Sequence, residues 1–302
     1  MTQSEQPPRK HQKNPEEQER VLRKVYFDIL DGWTAAEVDG EEVCIKHFDL
    51  KTQTIVDTHY SKIYKKAREN GLLNEEELLD RLVEDGTWSK KEEDDLKKRE
   101  KSLEGLKATS TKALNEKMQE QIEANIEKAE QELQDARKKK QSLIVNTCEQ
   151  FAERRSSDLI IRLSFYSTDK KTKFLSPEEF DMLDREDVGE MISVYNDCIK
   201  DINSGNIQQI AIEDFFTSYY QIVESNPQAF FDKKIHELTF FQINLLNYAK
   251  LFSSIFKNLD PPERIKKDAQ RLLDFAKSEQ KKREQEARKQ KAKENSPSRM
   301  RR

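Results

Sequence analysis

The sequence predicts a mainly α-helical protein with a small N-terminal antiparallel β-meander, a long antiparallel coiled-coil hairpin and an aromatic-rich C-terminal helical domain. Three observations carry this expectation. Charged residues make up 37% of the 302 residues and hydrophobic ones 34%, against about 25% and about 45–50% in an ordinary soluble domain, so much of the chain must be solvated helix surface. Only seven glycines occur, where average usage gives about 21, which leaves long stretches without a helix breaker. Eleven of the 25 aromatic residues fall between Phe215 and Phe256, and they locate the core.

Residues 1–20 hold Pro7, Pro8 and Pro15 among mostly Gln, Lys and Glu. Such a segment has too little apolar surface to offset the entropy of ordering it, and a disordered tail is expected. β-branched and aromatic residues follow at 21–30 (VLRKVYFDIL), 33–38 and 42–48 (EVCIKHF). Asp39-Gly40, between the last two runs, suits the positive φ angles of a two-residue hairpin loop, so residues 21–50 are read as the meander. A helix over the same span would have to absorb Gly32 and that turn.

From 51 to 88 the pattern is helical, with boundaries marked by capping chemistry. Asn74 precedes Glu77 by three residues, Ser89 precedes Glu92, and Ser176 precedes Glu179 with Pro177 in the first helical position. These are capping-box signatures, and they predict helix starts at 75, 90 and 177.

Residues 89–150 are read as the coiled-coil helical hairpin. Between Ser89 and Lys140 there is no aromatic residue, but 13 acidic and 14 basic ones. The sparse apolar residues form a narrow seam: Leu96, Leu103 and Leu106, then Ile122, Ile126, Ala129, Leu133, Ala136 and Leu143. The polar, β-branched stretch at 107–111 is read as the tip. A return arm from about 111 to 146 would be roughly 50 Å long at 1.5 Å per residue. The stripe serves equally well for closure within one chain or for pairing with a second.

The aromatic-rich helical domain is expected over 151–260. Its run at 159–166 (LIIRLSFY) fits a helix end or a strand, because short apolar runs do not discriminate. Helices are expected at 182–203, 207–224 and 238–256. After Pro261-Pro262 a last helix should run through 261–302 into a basic tail, whose residues 277–302 include 11 basic and 4 acidic side chains.

Several function classes are excluded by what the sequence lacks. The glycines are too far apart for a dinucleotide-binding turn, a phosphate loop or a nucleophile elbow. Cys44, Cys148 and Cys198 form no Cys-x-x-Cys, and the four histidines form no metal motif, so neither metal nor cofactor is expected. No stretch approaches the roughly 20 apolar residues of a membrane helix, and the polar first 20 residues lack a signal-like apolar core. A soluble, intracellular protein is expected. Paired carboxylates at 75–77, 92–95 and 184–187 lie at helix starts or on charged faces. Without burial to shift their pKa values they suggest no acid–base catalyst, so the chain is not expected to be an enzyme.

The doubled aromatics are the candidate partner-binding residues. Adjacent helical residues point about 100° apart, so a doublet makes two faces apolar. One face packs inside, and the other wants a further helix of the same chain or a partner protein. Phe216, Tyr220, Phe231, Phe240 and Phe241 are the residues singled out on this basis. A weaker alternative assigns nucleic-acid binding to Lys281, Lys282, Arg283, Arg288 and Lys289 of the tail. Interspersed Glu279, Glu284 and Glu286, and the lack of an aromatic after Phe275 to stack a base, weigh against it.

The run at 60–89 (YSKIYKKARENGLLNEEELLDRLVEDGTWS), the charged hairpin after it, residues 148–153 (CEQFAE) and the run at 226–248 (NPQAFFDKKIHELTFFQINLLNY) together resemble accessory proteins of large tailed bacteriophages, of the kind associated with tail or baseplate assembly. The resemblance covers about residues 21–256. It implies a non-enzymatic protein in the host cytoplasm or the virion that binds other virion or assembly proteins, as a transient chaperone or a permanent subunit. Self-association through the coiled-coil seam is the further partner reading.

Overall fold

A computed structural model describes residues 15–110, 116–223 and 226–294. In chain order these form α1 (Pro15–Asp31), β1 (Trp33–Val38), β2 (Glu41–Lys46), α2 (Leu50–Glu69), α3 (Glu75–Glu84), α4 (Lys90–Ser110), α5 (Glu116–Leu143) and α6 (Cys148–Ser164). There follow β3 (Phe165–Ser167), α7 (Pro177–Met182), α8 (Arg185–Ile199), α9 (Ser204–Ile210), α10 (Asp214–Tyr220), α11 (Phe240–Leu259) and α12 (Ala269–Glu294), with short 3-10 turns before and after α11. The fold class is as expected, mainly helical with a small antiparallel sheet. The chain divides into two compact units, one of Met1–Thr52 with Ile161–Arg302 and the other of Gln53–Ile160.

The first unit corrects the reading of its opening segment. Residues 21–30 form the body of helix α1, and the helix extends back to Pro15, into the stretch assigned to the tail. Residues 1–14 lie outside the described residues. The physical reason is spacing: Leu22, Val25, Tyr26 and Ile29 recur at intervals of three, one and three and are all buried, which is a helical stripe. β-propensity yields here to packing. Gly32, at φ +79°, ends the helix with its N–H bonded to Asp28 O at 2.9 Å.

The hairpin is as anticipated. β1 and β2 pair antiparallel from Trp33↔Lys46 to Val38↔Glu41, and Asp39 (φ 51°) and Gly40 (φ 82°) supply the two positive φ angles of the loop. The third strand comes from elsewhere: β3 pairs with β2 through Val43↔Ser167, Cys44↔Tyr166 and Ile45↔Phe165. The ambiguous run at 159–166 is therefore both things in succession, helix through Ser164 and strand from Phe165.

Two clusters fill this unit. Val38, Val43, Ile45, Ile161, Phe165, Phe180 and Met191 pack between the sheet and α6–α8. Phe216, Leu245, Phe252, Ile207, Ile210 and Leu272 form the centre of the larger one, built by α1 and α9–α12. The expected helix at 182–203 begins instead at Arg185, behind the Asp184 cap. The expected one at 207–224 is split into α9 and α10 at residues 211–213, and Glu224 lies outside the described residues. α11 starts at the Thr239 cap and ends at Asp260, in the left-handed conformation before Pro261-Pro262.

In the second unit the capping predictions for 75 and 90 are met. Asn74 and Glu77 form a reciprocal capping box at α3, and Ser89 and Glu92 exchange bonds of 2.9 and 3.2 Å at α4. The box at Ser176 and Glu179 likewise starts α7 of the first unit. Helices α4 and α5 pack antiparallel: Lys139 meets Glu92 at 2.5 Å, Arg137 meets Glu100 at 2.7 Å and Arg99 meets Glu132 at 2.8 Å. Between these flanking pairs, Leu96, Leu103 and Leu133 are buried with Ile126, Ala129 and Ala136 against them. Over this stretch the seam closes within the chain. The expected tip at 107–111 is helical through Ser110: lysine and alanine are good helix formers, and the Thr109 hydroxyl donates back to Gly105 O at 2.8 Å within the helix. Residues 111–115 lie outside the described residues, and the rest of the expected tip lies there with them.

At the base of this helical pair, Cys148 N–H donates to Leu73 O at 2.9 Å. Glu149 Oε2 accepts the Glu75 N–H at 3.0 Å at the start of α3. Arg68 grips Glu77 through both guanidinium nitrogens.

Candidate functional site

The candidate site is built where the β1–β2 pair, the C-terminus of α1 and the N-terminus of α11 meet in the first unit. The strand pairing continues one step beyond the sheet through His47 N–H to Gly32 O at 2.9 Å, and this carries the His47 side chain into the interior, 3% exposed. His47 Nε2 lies 2.9 Å from Thr34 Oγ1. His47 Nδ1 is buried with no partner among the described residues. Burial lowers the His47 pKa to about 4, with Asp31 opposing and Lys233 adding to the shift. Burial raises that of Asp28 to about 6, against the pull of Lys24 and the Thr34 hydrogen bond and with a small push from Asp31.

This network fixes the chain that follows. Asp49 pairs with Thr239 in an isolated antiparallel bridge, and Phe240 N–H donates to Phe48 O at 3.3 Å. Thr239 and Gln242 form a reciprocal capping box at the start of α11. Gln242 is completely buried, and its Nε2 donates to Ile29 O at 2.9 Å and Leu30 O at 3.3 Å. It thereby satisfies carbonyls at the end of α1 that have no intrahelical partner. Phe241 packs edge-on against His47, with ring centroids 5.2 Å apart.

What this framework presents outward is Phe240, 65% exposed at the first position of α11, with Leu50, 55% exposed, one residue from the same bridge. The backbone on either side of Phe240 is held by the cap, the bridge and the Gln242 side chain, so ordering this aromatic against a partner requires little further loss of freedom.

The other candidates are distributed differently. Phe216, Tyr220 and Phe231 are buried at 0%, 5% and 8% exposure in the larger core, which corrects their assignment to a partner surface. Phe216 stacks on Tyr220 at 5.4 Å and meets Phe230 at 5.3 Å, so the Phe215-Phe216 and Phe230-Phe231 doublets are covered within the same unit. Phe241 is half-buried over His47. Of the five, Phe240 alone is exposed. A second exposed apolar group flanks buried Tyr26: Phe27, which the sequence reading did not single out, at 5.7 Å between ring centroids, and Tyr219 of the Tyr219-Tyr220 doublet, close enough to raise the Tyr26 pKa beyond the effect of burial.

Lys281, Lys282, Arg283 and Arg288 are exposed on α12, and Lys282 is paired with Glu279 at 2.6 Å. Helix α12 runs on through Lys289, a residue whose side chain lies outside those described. Cys44 and Cys148 are buried and Cys198 is half-buried, and none of the three is in a disulfide. Burial raises each thiol pKa, the opposite of an activated nucleophile. Among the described residues no group of His, Cys, Asp and Glu is arranged to hold a metal ion, and no helix is long and apolar enough to cross a membrane. No family model, curated protein or solved structure matches this chain.

Proposed function

We propose that this chain is a non-enzymatic assembly protein that holds another protein against the Phe240 face of its aromatic-rich unit. The observation that carries the reading is the rigid presentation of an exposed aromatic, since buried aromatic anchors dominate the energetics of protein interfaces. The resemblance to tail and baseplate accessory proteins of tailed bacteriophages names the larger structure, and with it a partner among virion or assembly proteins and a place in the host cytoplasm or the virion.

A photo-reactive phenylalanine analogue at position 240 tests this. In cells producing the other virion components it should crosslink one of them stoichiometrically, and Phe240→Asp should abolish co-purification with the circular dichroism spectrum unchanged. A chain that stays free of every virion component would overturn the reading. A stoichiometric partner that is not a virion component would retain assembly and remove the phage.

The second reading, nucleic-acid binding, draws on the exposed cations of α12. It requires a steep loss of DNA or RNA affinity with rising salt that disappears on truncation at Lys277.

A further inference from the structure

The three-stranded sheet of the first unit has two edges, and the chain treats them differently. Beyond β3, Tyr166 bridges to Lys173, Ser167 N–H donates to Thr172 O at 2.9 Å and Phe174 N–H donates to Phe165 O at 3.2 Å. Residues 172–174 thus cover that edge. β1 forms the other one. It pairs with β2 along its whole length without a bulge, and its sequence, WTAAEV, holds neither proline nor lysine. Bulges, prolines and lysines are the usual means of keeping an edge strand from pairing with another chain.

The hairpin determines which backbone groups face outward. Its two-residue loop is closed by the pair Val38↔Glu41, which is hydrogen-bonded in such loops. At the other end His47 N–H donates to Gly32 O. Bonded and non-bonded pairs alternate along an antiparallel ladder, so the even-numbered residues of β1 bond to β2. Trp33, Ala35 and Glu37 turn their N–H and C=O groups away from it. Among the described residues these outward groups have no hydrogen-bond partner. Side chains alternate as well. Ala36 and Val38 belong to the smaller core, with Val188 and Met191 of α8, whereas Ala35 and Glu37 are exposed on the opposite face.

We propose that the β1 edge pairs antiparallel with β1 of a second copy of this chain, about a two-fold axis at Ala35, so that two three-stranded sheets become one. Three features favour a copy over an unrelated strand. In this register Trp33 meets Glu37 of the copy and Ala35 meets its own equivalent, which uses every outward residue of both strands and gives about six main-chain hydrogen bonds. Charge is matched too. Within the hairpin Glu37 lies opposite Glu42 and Trp33 opposite Lys46, so the acidic end of one sheet meets the basic end of the other, and the two Glu37 carboxylates stay apart. At the axis stand two alanine methyl groups, too small to hold the strands apart. Such self-complementarity is what a two-fold interface requires. The inference goes beyond the Phe240 reading and stands without it, since Phe240 belongs to α11 and not to the sheet.

Sedimentation equilibrium of the full chain tests the pairing. A small interface made of main-chain bonds belongs with transient associations, and a monomer–dimer equilibrium with a dissociation constant on the order of 10 µM is expected. Ala35→Lys and Ala35→Glu each set like charges opposite one another at the axis, and each should weaken self-association about fivefold. A mixture of the two variants should recover the wild-type affinity as a heterodimer. Ala35→Pro should give a folded monomer with an unchanged circular dichroism spectrum, because the N–H it removes faces away from β2. A wild-type chain that is still monomeric at about 100 µM would overturn the proposal. So would a dimer indifferent to all three substitutions, or a Lys–Glu mixture no tighter than either variant alone. The mixing experiment decides even if the proline variant misfolds, and a dimer formed through Phe240 or the helical seam would not respond to the sign of the charge at position 35.

Discussion

The two units of this chain solve the same problem with different materials. The first gathers most of the aromatics into two clusters in which Phe216, Phe252, Ile45 and Leu245 are completely or almost completely buried. The second has four aromatics, Tyr60, Tyr64, Trp88 and Phe151, and stabilises its long helices with a one-residue-wide apolar seam flanked by ion pairs. A ring buried on all sides brings a large area out of water, whereas a seam residue is covered from one side by a single partner helix. The high charge content therefore belongs to a particular architecture, two long helices solvated over most of their circumference, and says little about the packing of the other unit.

The comparison breaks most directly at Phe252, 1% exposed in the larger core. Phe252→Ala should cost about 3–5 kcal/mol, read as a lower denaturant midpoint for the first unit. A loss as small as that of a seam residue would mean that the aromatic cluster is loosely packed and that the contrast between the units is one of composition only.

The next effect is electrostatic and confined to the first unit. The folded His47 pKa, about 4, lies below its ordinary 6.5, so the unfolded chain binds more protons in that window. Its contribution to stability is complete above about pH 6.5 and is lost as pH falls through about 4, amounting to about 3 kcal/mol at most. Asp28 acts in the other direction. Its folded pKa is raised from 3.8 to about 6, so its contribution is present below 3.8 and disappears as pH rises through about 6. Asp28→Asn should thus steepen the loss of stability between pH 6.5 and 4. Denaturant titrations at pH 7, 5.5 and 4.5 check this, and a wild-type profile steeper than that of Asp28→Asn would reverse the assigned signs.

What was legible in the sequence follows the range over which each interaction acts. The Asp39-Gly40 loop and the capping boxes at Asn74 and Ser176 are encoded within four residues, and the chain forms them where they were read. The seam was legible because heptad spacing is also local. Helix α1 was misread through its valines and aromatics, although the spacing of Leu22, Val25, Tyr26 and Ile29 was helical throughout. The partner of β2 could not be read at all, because Phe165 reaches it from far along the chain. The candidate site was legible only at Phe240 and Phe241. A doublet shows that two faces are apolar but not which one the fold covers, and the covering of Phe216 by Tyr220 and Phe230 is a tertiary fact. Gln242 and His47, which position Phe240, carried no sequence signal beyond the Thr239-to-Gln242 spacing of a capping box.

The seam itself gives a smaller effect. Leu133, 4% exposed opposite Leu96 and Leu103, should cost about 2 kcal/mol as Leu133→Ala, the low end for a buried leucine, because a two-helix contact can relax into the space. Hydrogen exchange should report it as loss of amide protection along α4 and α5, with amides of the larger aromatic core unaffected. A loss shared equally by Phe252 and its neighbours would show that the seam supports more than its own pair of helices.

The smallest effect lies in the ion pairs that flank the seam. Arg99 and Glu132 meet at 2.8 Å with side chains 44% and 50% exposed, and the screening of exposed charges limits such a pair to at most about 1 kcal/mol. Arg99→Ala should therefore barely move the denaturant midpoint. The exchanged pair, Arg99→Glu with Glu132→Arg, should restore whatever is lost, and raising the salt should erase the difference between the variants. If Arg99→Ala proved as harmful as Leu133→Ala, charge and not apolar contact would hold α4 to α5. The second unit would then differ from the first in the kind of force it uses, where the seam geometry implies the same force applied over a narrower strip.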